Sequence, residues 1–589
     1  MCGILAIRGK TRSLNVDTDA MLTSLGKRGP DDRGLMRFEL CVLGQTRLSI
    51  IDLSGGHQPM KDGQRNQAIV FNGEIYNYKE LKQSLEAKGY QFDTVSDTEV
   101  ILKAYQEYGA DCVKYLEGMF AFALWDEDKQ ELFLARDRFG KKPLYYAFDD
   151  EGSLYIASEI KVLFCSGRLK GRIDDGALDA YLTLMYLPPW KTMYKNVETL
   201  PPGSSAMYKD GHLEIKTYWR LEKNPLLIGY EEAKQEVKRL LASAVQKRMI
   251  ADVEIGSFLS GGVDSTLVTL LAQSFSKTPI KTFSVGYQNY INELPFAFEA
   301  SQKIGSDHFT LQAKDDMVEE LHKVIAYYDE PHADSSDFAQ SILSRFAGSK
   351  VKVALSGDGA DELFLGYGWH TRHLNLSYRA HFFEKVFQSP FEGFLKSIQI
   401  FSLAERKRLW KHLPCTKQDI ESEQIKISAL SSVEKINLFD FTTYLPGQLL
   451  TKADRMGMMH SLEVRSPFLD RSLVEFVYNL PMEYKANKTE SKIILKDILA
   501  ETMPKEFVYR RKQGFGAPIK SWLKQDAFRQ DVYTQLDTSN AEIYQRLDRK
   551  YVGWLLRRFY QNKDERVFYK IWVLYCLELW MQEHKRYFA

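Results

Sequence analysis

The chain is predicted to be a multidomain α/β protein, with a layered α+β domain followed by a doubly wound parallel sheet carrying added helices. Three observations support this. The first ~210 residues run as short β-rich segments separated by turns. From about residue 230 onward, short apolar strands alternate with loops and helices. The texture changes around Pro188-Pro189 and Pro201-Pro202-Gly203, ahead of a linker-like stretch at 221–229. At 589 residues the chain exceeds one hydrophobic core and suits about two to four domains.

In the first domain, residues 67–71 read as a strand running into Asn72-Gly73-Glu74. A helix follows from Tyr78 to about Lys88, with Leu81 and Leu85 on one face. A second helix is expected at 98–105. Residues 120–125 and 132–135 form a hairpin around the turn 126–129. In the second domain a helix is expected at 231–246 and strands at 254–259, 282–285 and 351–355, with helix again at 267–271. Residues 375–450 and 525–589 read as mostly helical, charged and aromatic.

Composition narrows the function class. Charged residues make up 27% and apolar ones 44%, ordinary values for a soluble globular chain. A net charge of +1 gives no global field toward nucleic acid or an anionic membrane. No apolar run approaches the ~20 residues that span a bilayer, and Glu578 breaks the run at 574–579. The start lacks a basic-then-apolar signal pattern, and the six Cys (2, 41, 112, 165, 415, 576) show neither disulfide nor zinc spacing. A reducing cytoplasm is the expected compartment.

The chemistry-bearing residues fall into two groups. Removal of Met1 would place a free α-amine on Cys2, where it can act as base for its own thiol. Asn72 and the Gly73 N–H are donors suited to an oxyanion, Arg47 can grip a carboxylate, and Asp97 can bind an ammonium. Each also has an ordinary structural reading: Asn-Gly as a hairpin turn, Arg47 as a surface charge, Asp97 as a helix cap. Far downstream, Ser260-Gly261-Gly262-Val263-Asp264-Ser265 follows an apolar strand and opens a helix. Its N–H groups and two hydroxyls suit a pyrophosphate, and Asp264 suits Mg²⁺; the ordinary reading is a Gly-Gly turn. The loop lacks the Lys of kinase-like ATPases. A second loop, Ser356-Gly357-Asp358-Gly359-Ala360-Asp361-Glu362, also follows an apolar strand, so both would face one crevice.

Met1-Cys2-Gly3-Ile4, Arg28-Gly29-Pro30-Asp31, Arg47-Leu48-Ser49-Ile50, Asn72-Gly73-Glu74-Ile75-Tyr76-Asn77 and Gly118-Met119-Phe120-Ala121-Phe122 occur in the order of class II glutamine amidotransferases. With the Ser-Gly-Gly-Val-Asp-Ser loop and Glu463-Val464-Arg465-Ser466-Pro467-Phe468-Leu469-Asp470, the chain resembles the glutamine-dependent asparagine synthetases up to about residue 525. The resemblance implies an Ntn-hydrolase αββα sandwich at 2–214 and a PP-loop synthetase domain at 228–589. It makes Cys2 the nucleophile, Asn72 with Gly73 the oxyanion hole, and Arg47, Glu74 and Asp97 the glutamine holders, with Asn72 and Gly73. It sets Leu259 and Val285 around adenine and Ser260, Gly261, Gly262, Asp264, Ser265, Ser356 and Gly357 on ATP. It assigns Asp264 and Asp361 to magnesium, and Lys492 to phosphate charge. The implied reaction is ATP-dependent amidation of a carboxylate through an acyl-AMP, with glutamine as nitrogen source and aspartate as the favoured acceptor. No nucleic-acid or membrane partner is implied, and a homodimer is left open. Two departures stand out. Asp358 replaces the usual Glu of the family loop, and Leu365 replaces a usual Gly. The Asp form resembles relatives that amidate sugar acids of surface polysaccharides, which gives one alternative. A catalytically degenerate scaffold is another.

Overall fold

The computed structural model describes every residue except 1, 11–15, 288–292, 314–316, 381–389, 415–419, 428, 511–515 and 589. In the N-terminal part, side-chain alternation builds four layers. Two six-stranded antiparallel sheets face each other. One runs Glu198–Thr199, Tyr145–Phe148, Leu154–Ala157, Gly3–Arg8, Cys41–Arg47, Asp32–Arg37 in space. The other runs His212–Thr217, Ser204–Lys209, Glu131–Arg136, Gly118–Asp126, Gln67–Ile75, Met60–Asp62. Ile4, Ala6, Leu43, Ala68, Val70, Ala121 and Ala123 point between the sheets. Small side chains on these inner faces let the sheets approach closely. The intervening positions face outward: Leu5 and Ile7 meet Met21 and Leu22, while Ile69, Phe71, Phe122 and Leu124 meet Leu81, Leu85 and Ile101. Helices Thr18–Ser24 and Asp175–Leu184 cover one side, and Tyr78–Glu86 and Asp97–Tyr108 the other. The expected hairpin is present, with Asp126 opposite Glu131.

The second part is a five-stranded parallel sheet ordered Asp307–Ala313, Lys281–Tyr287, Ile255–Phe258, Val353–Leu355, Glu463–Arg465. The chain leaves the central strand Ile255–Phe258 in one direction, then returns to its other side. That reversal places a topological switch point between Ile255–Phe258 and Val353–Leu355, where such sheets bind ligands at their carboxyl ends. Both Gly-rich loops emerge there. The outer strands Asp307–Ala313 and Glu463–Arg465 add to the three expected. Among the described residues, no helix is long and apolar enough to cross a membrane.

The C-terminal helices reach back to the first domain. Helix Phe568–His584 buries Trp572, Tyr575, Leu577 and Trp580, and Tyr181 Oη donates to Val573 O at 2.9 Å. Gly171 N donates to Tyr587 O at 2.7 Å. Glu578, the charge within the apolar run, accepts the N–H groups of Glu542 and Ile543, both at 3.0 Å. It thereby supplies the acceptors that open the short helix Glu542–Gln545.

Between the domains lies a buried ionic cluster. Arg28 makes a fork to Asp454 at 2.7 and 3.1 Å and approaches Glu159 at 3.4 Å. Arg455 reaches Glu159 at 3.0 Å and Asp329 at 2.9 Å. Lys161 sits 2.7 Å from Glu159, and Lys142 3.6 Å from Asp454. The charges of Arg28 and Lys142 hold the buried Asp454 carboxyl below its ordinary range, against the opposing effect of burial. Removing one partner from such a cluster leaves uncompensated buried charge, at a cost of about 3–5 kcal/mol. Asp454→Ala should therefore lower unfolding stability by about that amount, measured by denaturant titration; a change within error would mean the cluster is not sealed from water.

Candidate active site

Cys2 lies just before strand Gly3–Arg8, only 7% exposed, in a small cleft that Arg47, Gly73, Glu74 and Asp97 also line. Its nitrogen donates to Asn72 Oδ1 at 3.1 Å, and its carbonyl accepts from Arg28 Nε at 3.1 Å. Because Asn72 spends its oxygen on Cys2, its amide nitrogen is left over. Asn72 Nδ2 is buried without a hydrogen-bond partner among the described residues. Asn72-Gly73 is therefore not a hairpin turn; it sits inside strand Gln67–Ile75, opposite Ala121 and Phe120. Strand geometry aims the Gly73 N–H. Tyr76 N bonds Glu117 O across the pair, whereas Phe71 N goes to Gln58 Oε1 and Ile75 N to Asp97 Oδ2. Odd positions thus point away from the neighbouring strand, and Gly73 N points with them toward the cleft. A Cβ at Gly73 would stand 2.1 Å from Met119 O, so only glycine fits.

The cleft walls carry complementary charge. Arg47 is buried, its guanidinium held by the carbonyls of Ile51 and Asp52 at 3.0 and 2.7 Å, and no carboxylate pairs with it among the described ion pairs. Gly56 leaves room for it: a Cβ there would meet Arg47 Nη2 at 2.2 Å. Glu74 faces Arg465 Nη2 at 3.4 Å, and its other oxygen has no hydrogen-bond partner among the described residues. Burial, reinforced by Glu463, pushes the Glu74 carboxyl well up. Burial likewise pushes Asp97 up to about 6. Asp97 is not the helix cap: Ser96 caps, its Oγ accepting from Thr98 N at 3.2 Å. Burial raises the Cys2 thiol too, against Arg47 and the Leu48 N–H, so the thiol needs a local base to ionise.

The second centre lies at the switch point. Ser260 and Ser265 join through their hydroxyls at 3.0 Å, and Gly262 N donates to Ser260 Oγ at 3.2 Å. Gly261 has φ +74, and a Cβ there would strike Phe296 backbone at 2.5 Å. The two loops pack directly, since a Cβ on Gly357 would lie 2.9 Å from Asp264 Cβ. Asp264 Oδ2 and Asp361 Oδ1 converge on Lys492 Nζ at 2.5 and 2.7 Å. The two carboxylates hold the Lys492 ammonium well above its ordinary range despite burial. Lys492 is not a surface helix residue; it is buried in the left-handed region (φ 57) just before helix Ile493–Leu499. Asp264 Oδ1 is buried without a hydrogen-bond partner among the described residues. Two converging carboxylates with one unused oxygen fit Mg²⁺, whose remaining positions phosphate oxygens can fill. No group of three or more His, Cys, Asp or Glu forms an all-protein cage among the described residues.

Asp358 accepts from Ser356 Oγ at 2.8 Å, and Ser356 N donates to Arg465 O at 2.8 Å. Leu259 is buried with its N–H on Phe283 O, and Val285 is partly exposed on the next strand. Leu365, where a glycine would be unstrained, has φ 55, a conformation that costs an ordinary side chain about 1–2 kcal/mol. Three residues of this region, Lys141, Lys452 and Arg510, carry no signal in the sequence. Lys141, from the first domain, reaches Ser466 Oγ at 2.6 Å, and burial lowers its ammonium to about 7. Lys452 Nζ donates to Ser336 Oγ at 2.7 Å. Arg510 Nη2 donates to Gly261 O at 2.6 Å. Arg465, part of a recognised motif, gains a role only from its contact with Glu74.

Comparison with known proteins agrees with this two-centre layout. Residues 1–219 match the glutamine amidotransferase domain family, and residues 236–582, more than half the chain, match the asparagine synthase family. Asparagine synthetase [glutamine-hydrolyzing] 1 of Bacillus subtilis (strain 168) is 32% identical over 628 residues, covering 100% of this chain and 98% of that one. A putative asparagine synthetase [glutamine-hydrolyzing] of Mycobacterium tuberculosis is 33% identical over 619 residues, 94% of each chain. Asparagine synthetase B [glutamine-hydrolyzing] of Escherichia coli (strain K12) is 25% identical, covering 95% and 91%. With a match to the glutamine amidotransferase domain family ahead of a match to the asparagine synthase family, the chain is an enzyme belonging to the asparagine synthase family.

Proposed function

We propose that this enzyme amidates aspartate to asparagine in the cytoplasm, drawing nitrogen from glutamine and activating the carboxylate with ATP. The observation that carries the reading is one chain holding both centres: Cys2 beside the unpartnered Asn72 amide, and the Asp264–Lys492–Asp361 cluster. The full-length relatives named for this reaction support the choice of acceptor.

Glutamine enters the Cys2 cleft with its carboxylate on Arg47 and its ammonium between Glu74 and Asp97. Once Met1 is removed, the Cys2 amine takes the thiol proton and Sγ attacks the amide carbon. The oxyanion forms against Asn72 Nδ2 and Gly73 N–H, and the same amine returns the proton to departing ammonia. In the synthetase centre the ATP pyrophosphate lies on the Ser260–Ser265 loop. Asp264 and Asp361 would hold Mg²⁺, which supplies charge neutralisation of the phosphates. Lys492 neutralises phosphate charge, and Asp358 faces the acceptor. The aspartate carboxylate takes the α-phosphoryl group, releasing pyrophosphate, and ammonia then displaces AMP. Water must be kept from that acyl-adenylate, which the sealed domain interface provides.

A panel of carboxylates assayed for AMP release tests the acceptor. Asparagine from aspartate is expected; AMP release with a uronic acid but not with aspartate would move the reading to sugar acids, and none with any acceptor would leave a scaffold. Cys2→Ala should abolish glutamine-dependent product while leaving product from ammonium salts, and equal loss of both in a folded variant would refute the division of labour. Gly366→Ala probes the other centre, because a Cβ there would stand 2.0 Å from Asp361 Oδ1 and 2.1 Å from Lys492 Cε. It should abolish ATP–pyrophosphate exchange and leave glutaminase activity; normal exchange would show that the cluster is not used. With Asp97 raised to about 6, protonation removes the charge that attracts the ammonium. KM for glutamine should rise as pH falls through about 6, and Asp97→Asn should raise KM and flatten that dependence.

A further inference from the structure

Lys141 is a buried cation that neither half of the reaction above uses. Its loop is held rigidly. The Asp137 carboxylate accepts the N–H groups of Phe139 and Lys141 on Oδ1, at 3.1 and 3.0 Å, and those of Phe120 and Lys142 on Oδ2, at 3.2 and 2.9 Å. Arg136 closes the same loop, donating to the carbonyls of Gly140 and Lys142 at 2.9 and 2.8 Å. The two lysines then go different ways. Lys142 faces Asp454 in the ionic cluster, whereas Lys141 crosses to the second domain, where Nζ donates to Ser466 Oγ at 2.6 Å. Among the described residues this is the one hydrogen bond of that ammonium, and no carboxylate pairs with it directly. Burial and the charge of Lys142 disfavour the ammonium, while the charge of Asp358 supports it. A buried cation without a direct counter-ion is costly, and such groups gather at functional sites.

The bond to Ser466 is the first of three. Ser466 Oγ lies 3.2 Å from Ser356 Oγ, and Ser356 Oγ donates to Asp358 Oδ2 at 2.8 Å. Both serines are buried, and Asp358 is half-buried. Ser356 has one hydroxyl proton and three acceptors within reach: Asp358 Oδ2, Ser466 Oγ and, at 3.4 Å, the carbonyl of Arg465. Lys141 decides among them. An ammonium donating to Ser466 Oγ makes that oxygen a poorer acceptor and its own proton a better donor. Ser466 then donates to Ser356, whose proton is left for Asp358. Every bond points one way, from ammonium to carboxylate. Asp358 is tied by Oδ2, and its Oδ1 makes no hydrogen bond among the described residues.

We propose that Lys141, supplied by the first domain, is a positioning residue of the second centre: through Ser466 and Ser356 it fixes Asp358 with one oxygen turned to the acceptor. This role rests on the function proposed above, in which Asp358 faces aspartate. The acceptor pocket is then complete only when the first domain is docked, because one of its supports comes from there. In aspartate-dependent ATP–pyrophosphate exchange, Lys141→Met should raise KM for aspartate about 10-fold, the order of one hydrogen bond to a charged group. KM for ATP and the glutaminase rate should stay at wild-type values, the latter showing that the first domain is folded. Ser466→Ala leaves the lysine in place and should raise KM for aspartate to the same extent. Since both act through one chain of bonds, the double variant should be no worse than either single one. A wild-type KM for aspartate in both single variants, or losses that multiply in the double variant, overturns the role. So does an equal rise in KM for ATP, which marks a displaced nucleotide loop, or a fall in the glutaminase rate of Lys141→Met. Wild-type enzyme that exchanges no pyrophosphate with aspartate would instead remove the proposed function, and this role with it.

Discussion

The ionic cluster between the domains is the constraint on which the rest of the molecule depends. Four cations, Arg28, Lys142, Lys161 and Arg455, share three carboxylates, Glu159, Asp329 and Asp454, with little or no access to water. Desolvating so many charges is unfavourable unless their geometry is well satisfied, and it contributes orientation more than net stability. Each domain supplies groups that the other must neutralise, so the two can settle in only one mutual placement. Arg28 carries that placement into the first centre, because the guanidinium that forks onto Asp454 also binds the carbonyl of Cys2. Asp454 and Arg455 lie on helix Leu450–Met458, which also holds Lys452 beside the second centre.

A second link is a strand of three residues. Arg465 ends Glu463–Arg465; its side chain meets Glu74 in the cleft of the first domain, and its carbonyl receives Ser356 N in the second. Two further bonds fix the Arg465 guanidinium to the carbonyls of Arg248 and Ile250, at 2.9 and 2.6 Å. The arginine can therefore shift little without disturbing both centres. The two Gly-rich loops and the cleft around Cys2 are thus built on shared rigid elements rather than joined by a flexible tether.

The loops at Ser260–Ser265 and Ser356–Glu362 are legible in the sequence because local chemistry dictates them: an apolar strand, glycines, then a helix start. The hairpin at 120–135 is legible for the same reason, since two apolar runs flanking a polar turn are a local signal. Asn72-Gly73 misleads as a dipeptide because its turn propensity is overridden by pairing with Ala121 and Phe120 on the neighbouring strand. Asp97 misleads because Ser96, one residue earlier, is the better-placed cap. The short strand Glu463–Arg465 is too brief to show a pattern, and its strand character comes from pairing with Val353–Leu355. Lys141, Arg510 and Lys452 are invisible for a different reason. A charged residue reads as surface unless its partner is known, and their partners lie 325, 249 and 116 positions away.

The C-terminal helix bears on the order in which the enzyme can be assembled. Helix Asp175–Leu184, the outer layer of the first sheet, packs against Phe568–His584, and Gly171 is held by the backbone of Tyr587. The first half leaves the ribosome ahead of the second, yet this face of its outer wall is not covered until helix Phe568–His584 emerges, on the order of tens of seconds later at ~5–20 residues per second. The half that carries Cys2 is thus completed by a helix of the other half, so a chain cut short before that helix would lack the cover on this wall as well as the helix itself.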